Sequence, residues 1–269
     1  MQKSYTNAII ILGVVLFVGL AIILVLRQGN TDVVEDASSD ESVQAPDTGP
    51  DTSEYGTTIA DLEAAVEADP GDSEAHFQLG QAYNQEGMLL EAASEFRTVI
   101  ALDPENAAAH HNLGVTHLQL QDLGSAITEF ETAARLEPND PDTRYQLGAA
   151  YLYLALAEAE PGNSEQFLEQ AQSEFEVALE LREDMPQALI GMGNIYNQQG
   201  DYAAAIEVLQ QAIEQAPDLS EAYYALGEAY ARSNDVANAC ETYSQFVEMD
   251  PLPVFQDQAR QVMTTLGCP

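Results

Sequence analysis

Residues 73–106 read SEAHFQLGQAYNQEGMLLEAASEFRTVIALDPEN, and residues 107–140 repeat that pattern as AAAHHNLGVTHLQLQDLGSAITEFETAARLEPND. At an offset of 34 residues Leu79-Gly80 falls on Leu113-Gly114, Ala92 on Ala126, Phe96 on Phe130 and Pro104 on Pro138. The register continues through Leu147-Gly148, Met192-Gly193 and Leu226-Gly227, with successive glycine intervals of 34, 34, 45 and 34 residues. Three residues after each glycine stands Tyr83, His117, Tyr151, Tyr196 or Tyr230. Once eleven extra residues in the third unit are allowed for, Ala171, Ala205 and Ala239 continue the alanine column, and Phe175, Leu209 and Tyr243 the bulky one. Pro217 and Pro251 close later units, while in the third Glu183 takes that place with Pro186 three residues on. Self-similarity at a fixed period of this length marks a stacked repeat architecture.

Apolar residues recur at helical spacing inside each unit, as at Leu79, Ala82 and Tyr83. Gly80, Gly114, Gly148, Gly193 and Gly227 let two helices approach closely, and the alanines do the same from the second helix. The aromatic column fills the space beneath, and each proline stops a helix and turns the chain into the next unit. One such hairpin cannot bury its apolar face alone, so neighbours must stack.

The Leu-Gly, Tyr, Ala, aromatic and Pro columns resemble the tetratricopeptide repeat, a 34-residue helix-turn-helix, over about residues 73–253. The expected fold is therefore all-α: a right-handed α-solenoid of five helix hairpins plus a terminal capping helix, preceded by one transmembrane helix. The units fall at about 73–106, 107–140, 141–185, 186–219 and 220–253, inside a domain of 59–269. Ile59 to Ala68 reads as a lone second helix, because Pro70 lies 34 residues before Pro104. The capping helix falls at about 254–266, with Arg260 and its glutamines facing solvent. In the third unit the insert lengthens the first helix through Tyr151–Ala157, Pro161-Gly162 makes the turn, and Asn163 or Ser164 caps the second helix. That hairpin is expected to protrude, either as a longer arm or as a knob that touches a partner.

Ahead of the repeats, residues 1–7 form a short tail. Residues 8–26 read AIIILGVVLFVGLAIILVL, nineteen positions without a charge. As a helix they extend roughly 28 Å, enough to cross a bilayer core. No small-residue cleavage site follows, so the stretch reads as an uncleaved anchor. Lys3 precedes it and Arg27 follows it, a slight lean toward a cytoplasmic N-terminus with the bulk of the chain outside the cytoplasm. Residues 27–58 hold eight acids, no lysine and no base beyond Arg27, with prolines and many Ser and Thr. Too little apolar area is available there to offset ordering entropy, so the segment reads as an extended acidic tether.

The whole chain of 269 residues has 45 acids against 8 bases, a formal charge of −37. A surface of that sign repels phosphate backbones and anionic headgroups, which excludes nucleic acid as a partner. No phosphate loop, dinucleotide fingerprint or nucleophile motif occurs, so neither an enzyme nor a cofactor is expected. The four histidines, His76, His110, His111 and His117, fall on packing columns without ligand spacing, leaving a metal-dependent factor as the weakest alternative. Cys240 and Cys268 are the only cysteines. They lie on elements expected to run antiparallel, and a bridge or two free thiols are both open at this point.

The resemblance also implies where a ligand would touch: the inner face of each first helix, at its second, fifth, sixth, ninth, twelfth and thirteenth positions. In the first unit these give Phe77, Gln81, Asn84 and Gln85, and in the second His111, Asn112, Leu118 and Gln119. The third supplies Tyr145, Gln146 and Tyr153, the fourth Ile190, Asn194, Asn197 and Gln198, the fifth Tyr224, Glu228 and Arg232. Family members that clamp a C-terminal carboxylate do so with lysines, an arginine and asparagines. No lysine and a single arginine, Arg232, stand here beside Asn112, so that clamp is absent. An amide- and aromatic-rich groove suits a peptide backbone. The expectation is a membrane-anchored scaffold that holds a protein or peptide segment, in assembly of an envelope or membrane-associated complex. A structural spacer or self-assembling array is the alternative.

Overall fold

The computed structural model describes residues 58–157, 161–249 and 253–269. The anchor and the tether expected before Thr58 lie outside the described residues. Among the described residues no helix is long and apolar enough to cross a membrane, and twelve α-helices follow one another without a strand. A lone helix, α1 (Ile59–Ala68), opens the array. Five hairpins follow: α2 (Ser73–Gln85) with α3 (Leu89–Leu102), α4 (Ala107–Gln119) with α5 (Leu123–Leu136), and α6 (Pro141–Ala157) with α7 (Pro161–Leu181). The last two are α8 (Pro186–Gln199) with α9 (Tyr202–Gln215) and α10 (Ser220–Arg232) with α11 (Val236–Glu248), and α12 (Pro253–Leu266) closes the array.

Side-chain caps start most of these helices. Thr58 and Asp61 form a reciprocal capping box on α1, and Asp72, Asn106, Asp122, Asp201 and Asp235 each accept from a first-turn N–H. Between the helices of a hairpin, one residue takes left-handed backbone: Gly87, Gln121, Gly200 and Asn234 occupy the same repeat position. Two units use glycine there, where an L side chain is strained.

The core is built by the glycine and aromatic columns. A Cβ on Gly80 or Gly114 would stand 2.8 Å from the ring of Phe96 or Phe130, and on Gly148 or Gly227 2.9 Å from Phe175 or Tyr243. On Gly193 it would stand 2.4 Å from Leu209. The alanines Ala92, Ala126, Ala171, Ala205 and Ala239 are fully buried. Each buried ring contributes roughly 2–3 kcal/mol of apolar burial, and any larger residue in the glycine or alanine column would force the helices apart. Gly191 adds a contact that the column pattern does not announce. Its position lies 2.5 Å, Cβ to ring, from Phe175 of the preceding unit, so α8 seats closely on α7.

Two polar ladders tie neighbouring helices. In the first, His76 Nδ1 lies 2.6 Å from Glu95 and its Nε2 3.2 Å from the Pro70 carbonyl. His110 repeats this with Glu129 and Pro104 at 2.6 and 3.3 Å. Arg144 takes the same place in the third unit, donating to Glu174 at 2.9 Å and to the Pro138 carbonyl at 3.4 Å. The second ladder joins residues of the tyrosine column to the second helix of the preceding hairpin, or to α1. Tyr83 donates to Glu63 at 2.6 Å and Tyr151 to Glu131 at 2.5 Å. Where His117 replaces the tyrosine, Arg97 replaces the glutamate and donates to it at 3.4 Å.

The insert of the third unit reaches the fifth. Leu156, near the end of α6, packs against the cluster of Tyr224, Tyr243 and Phe246 in the fifth unit. Tyr151 stacks on Phe167 of α7, with ring centroids 6.4 Å apart. Pro161 starts α7 rather than turning toward it, and Ser164 donates to the Ala155 carbonyl at 2.9 Å instead of capping the helix. Apolar residues on the lengthened arm find a closer surface on the next hairpins than in solvent. At the other end α12 buries Phe255, Ala259 and Val262 on α11, and a disulfide joins Cys240 to Cys268 with Cα atoms 5.5 Å apart.

Candidate functional site

The first helices of the hairpins form one face of the array, and this face holds a cleft of about 400 Å³. Its walls come from α2 (Gln81, Asn84, Gln85), α4 (His111, Asn112, Val115, Gln119), α6 (Asp142, Tyr145, Gln146), the α7–α8 turn (Arg182, Met185) and the start of α8 (Gln187). Periodicity puts these side chains there, since positions four apart on a helix share a face. Gln81, Gln85, Gln119, Gln146 and Gln187 bond no other described residue, so their amides are available. Arg182 and Asp142 pair with each other, which leaves the cleft without net charge.

Several groove residues are committed to holding the face itself. Asn84 Nδ2 donates to Thr116 Oγ1 at 2.8 Å, a tie from α2 to α4. Asn112 donates back to the Ala108 carbonyl of its own helix at 2.8 Å. Thr143 Oγ1 donates to Asp140, so it accepts from His111 Nδ1–H, 2.7 Å away. That chain fixes the tautomer of His111 and leaves Nε2 as the acceptor. Burial lowers the His111 pKa against the nearby Asp140 and Asp142 charges, which keeps the ring neutral. Tyr145 is half-buried against Phe175, and burial, then the charge of Glu221, raises its phenol above the usual value.

The other expected groove residues sit differently. Phe77 packs edge-on against Phe96 at 5.8 Å, and Tyr153 is half-buried outside the cleft. Leu118 and Ile190 belong to the core. In the fourth and fifth units Asn194, Asn197, Tyr224 and Glu228 are buried, at 7%, 1%, 3% and 1% exposure, so they cannot meet a ligand in this arrangement. The reason is local: Asn197 Nδ2 donates to the Ala225 carbonyl of α10 at 3.0 Å, and Leu156 lies on the cluster that holds Tyr224. Glu228 is ion-paired to Arg232 at 3.0 Å, and Arg232 stacks over the Tyr202 ring at 5.4 Å. Burial raises the Glu228 carboxyl to about 7 despite that guanidinium.

Sequence reasoning missed Val115, Asp142, Arg182, Met185 and Gln187. The second position of each unit carries the signal for Asp142 and Gln187. Arg182 and Met185 come from the turn after α7, where no repeat column points. As for the histidines, His76 and His110 are occupied by the first ladder and His117 by the second. Among the described residues no group of three or more His, Cys, Asp or Glu is arranged to hold a metal ion.

Comparison with known proteins follows this geometry. A family profile described as "TPR repeat" matches residues 80–121, 115–154 and 193–234, and two described as "Tetratricopeptide repeat" match 220–251 and 54–97. Together they span more than half of the chain. No curated protein matches. Among solved structures, YrrB, described as a TPR protein with an unusual peptide-binding site, superposes with a TM-score of 0.59 at 20% identity, over 76% of this chain and 100% of that one. TTC0263, a thermophilic TPR protein of Thermus thermophilus, gives 0.58 at 21% identity, over 71% and 99%. MamA of Desulfovibrio magneticus RS-1 gives 0.58 at 19% identity, over 66% and 94%. At such identities the likeness is one of fold.

Proposed function

The chain belongs to the tetratricopeptide-repeat family, and we propose that it is a membrane-anchored scaffold whose α2–α4–α6 cleft holds an extended segment of another protein. Residues 8–26 serve as the anchor and residues 27–58 as the tether, with the repeats outside the cytoplasm, where the disulfide persists. Its work is the assembly of an envelope or membrane-associated complex, done by binding and not by chemistry.

One observation carries this reading: five free amides line a cleft without net charge on an otherwise acidic array. Each carboxamide offers a donor and an acceptor, the pair that a peptide unit needs, and demands no charge from its ligand. Tyr145 and Val115 add apolar contact. The peptide-binding site named for YrrB, on the same fold, supports the reading by analogy.

Photo-crosslinking in intact membranes tests it. A probe at Gln119 should trap polypeptide, and a probe at exposed Asn238 on α11 should not. Gln81→Glu combined with Asn112→Asp should cut the yield at Gln119 about tenfold, since a carboxylate cannot donate to a backbone carbonyl and sets two unpaired anions against an uncharged segment. Equal trapping at both probes, or a yield indifferent to the double substitution, rules the cleft out. Labelling of Glu41→Cys in sealed versus opened vesicles reads the side on which the tether lies.

A further inference from the structure

The proposed groove function leaves the occupant open, and the charge pattern around the cleft narrows it; this step rests on the groove reading above. Residues 59–269 carry 37 acids, six arginines and no lysine. Against that background the cleft floor is exceptional, because its one acid, Asp142, is neutralised by Arg182. Acids return at both mouths. Glu86 is exposed directly after Gln85 at the α2 end. At the α8 end, exposed Glu183 and Asp184 lie between the lining residues Arg182 and Met185, and the charge of Glu221 reaches Tyr145 on the wall.

A C-terminal carboxylate finds no partner here, because the one guanidinium in the cleft is already engaged by Asp142. Acidic segments are repelled by both mouths. The chain's own tether, with eight acids between residues 28 and 58, is excluded on the same ground. We infer that the occupant is an extended segment of a different protein that does not end in the cleft on a carboxylate, uncharged in its middle and carrying Lys or Arg at both ends. Neighbouring first helices lie roughly 9 Å apart, so three intervals from α2 to α8 span about 27 Å. At about 3.3 Å per residue that is about eight residues. The free amides read its backbone, and the acidic mouths set its orientation-independent charge preference.

The test pans a displayed library of random nonapeptides against the full chain in detergent micelles. Three proteins are compared: wild type, Gln81→Ala with Gln146→Ala, and Glu183→Gln with Asp184→Asn. Both variants change solvent-facing or half-buried side chains and should keep the wild-type melting temperature. Basic-ended, neutral-centred sequences should be enriched, weakened roughly tenfold by high salt, and lost on the amide variant. On the variant of the α8 mouth the same peptides should still bind with their preference for one basic end gone. Enrichment of neutral or acidic sequences that is lost on the amide variant overturns this inference and leaves the groove function standing. Enrichment that survives in the amide variant, or none above it, overturns both.

Discussion

The first three hairpins and the last two are assembled from one pattern, yet they treat their inner faces differently. On α2, α4 and α6 the inner positions hold amides that look into a cleft. On α8 and α10 the corresponding Asn194, Asn197, Tyr224 and Glu228 are enclosed. The difference does not lie in residue type, since Asn84 and Asn197 are the same letter at the same repeat position. Asn84 reaches a hydroxyl on its neighbour and stays half-buried, whereas Asn197 reaches a backbone carbonyl and disappears from solvent. A groove position is thus defined by what stands opposite it. In the closed half that includes Leu156, delivered by the lengthened α6, and a glycine at 191 that seats α8 on Phe175.

The largest break in this comparison comes from the end of the array. Replacing Cys240 and Cys268 by serine opens a loop of 28 residues, which in the chain-entropy picture removes about 3 kcal/mol. Hydrogen exchange should quicken in α11 and α12 while α2 to α4 stay protected, because repeats couple mainly to their neighbours. If the whole array loosens equally, the two halves are one cooperative block.

Next in size, pH should act on the halves with opposite sign. The Glu228 carboxyl titrates near pH 7 when folded, against 4.5 as a free group, so the folded state holds a proton that the unfolded chain has released. Stability therefore falls as pH rises from about 4.5 to 7, by roughly 2–3 kcal/mol, and Glu228→Gln should flatten that slope in urea melts at pH 5 and 8. His111, in the open half, is shifted downward, so in acid the unfolded chain takes up the proton first. Its contribution is present above pH 6.5 and is lost as pH falls below it. His111→Gln should reduce the acid loss without touching the alkaline one. An unchanged alkaline slope in Glu228→Gln would mean that the closed half is wetter than its burial indicates.

Smaller changes sharpen the boundary. Leu156→Ala should cost about 1 kcal/mol, below the range for a fully buried leucine, and should speed exchange at α10 more than at α4. Gln121→Gly, at a left-handed position that two other units fill with glycine, should raise stability by about 0.5–1 kcal/mol. A loss there would show that the Gln121 side chain has a role that its backbone does not reveal.

Much of this fold could be read in advance because its determinants are local and repeated. A glycine on a first helix that faces a bulky side chain on the second means the same thing in every unit, and one reading of Gly80 against Phe96 carries to Gly227 against Tyr243. The inner face was legible only as a set of positions. Which of them stay open depends on the direction taken by Tyr151–Ala157, an apolar run that reads as a longer helix whichever neighbour it meets. Arg182 was hidden for a related reason: it joins the cleft by pairing with Asp142, 40 residues earlier, and no period links the two. Gly191 did carry a warning, since a second glycine beside Gly193 has no place in the column pattern.

The junction between Arg97 and His117 has a bearing on how such arrays change over time. At Tyr83 and Tyr151 that joint is a phenol facing a carboxylate, at Tyr230 a phenol facing the Gln210 amide, and at His117 both members differ together. A lone return to tyrosine would set a phenol against the Arg97 guanidinium, whereas a lone return to glutamate would make a His–Glu pair like His76 with Glu95. Copying, deleting or reordering units is therefore graded by what each end presents to the next: some new neighbours would still bond across the seam, and others would lose the bond.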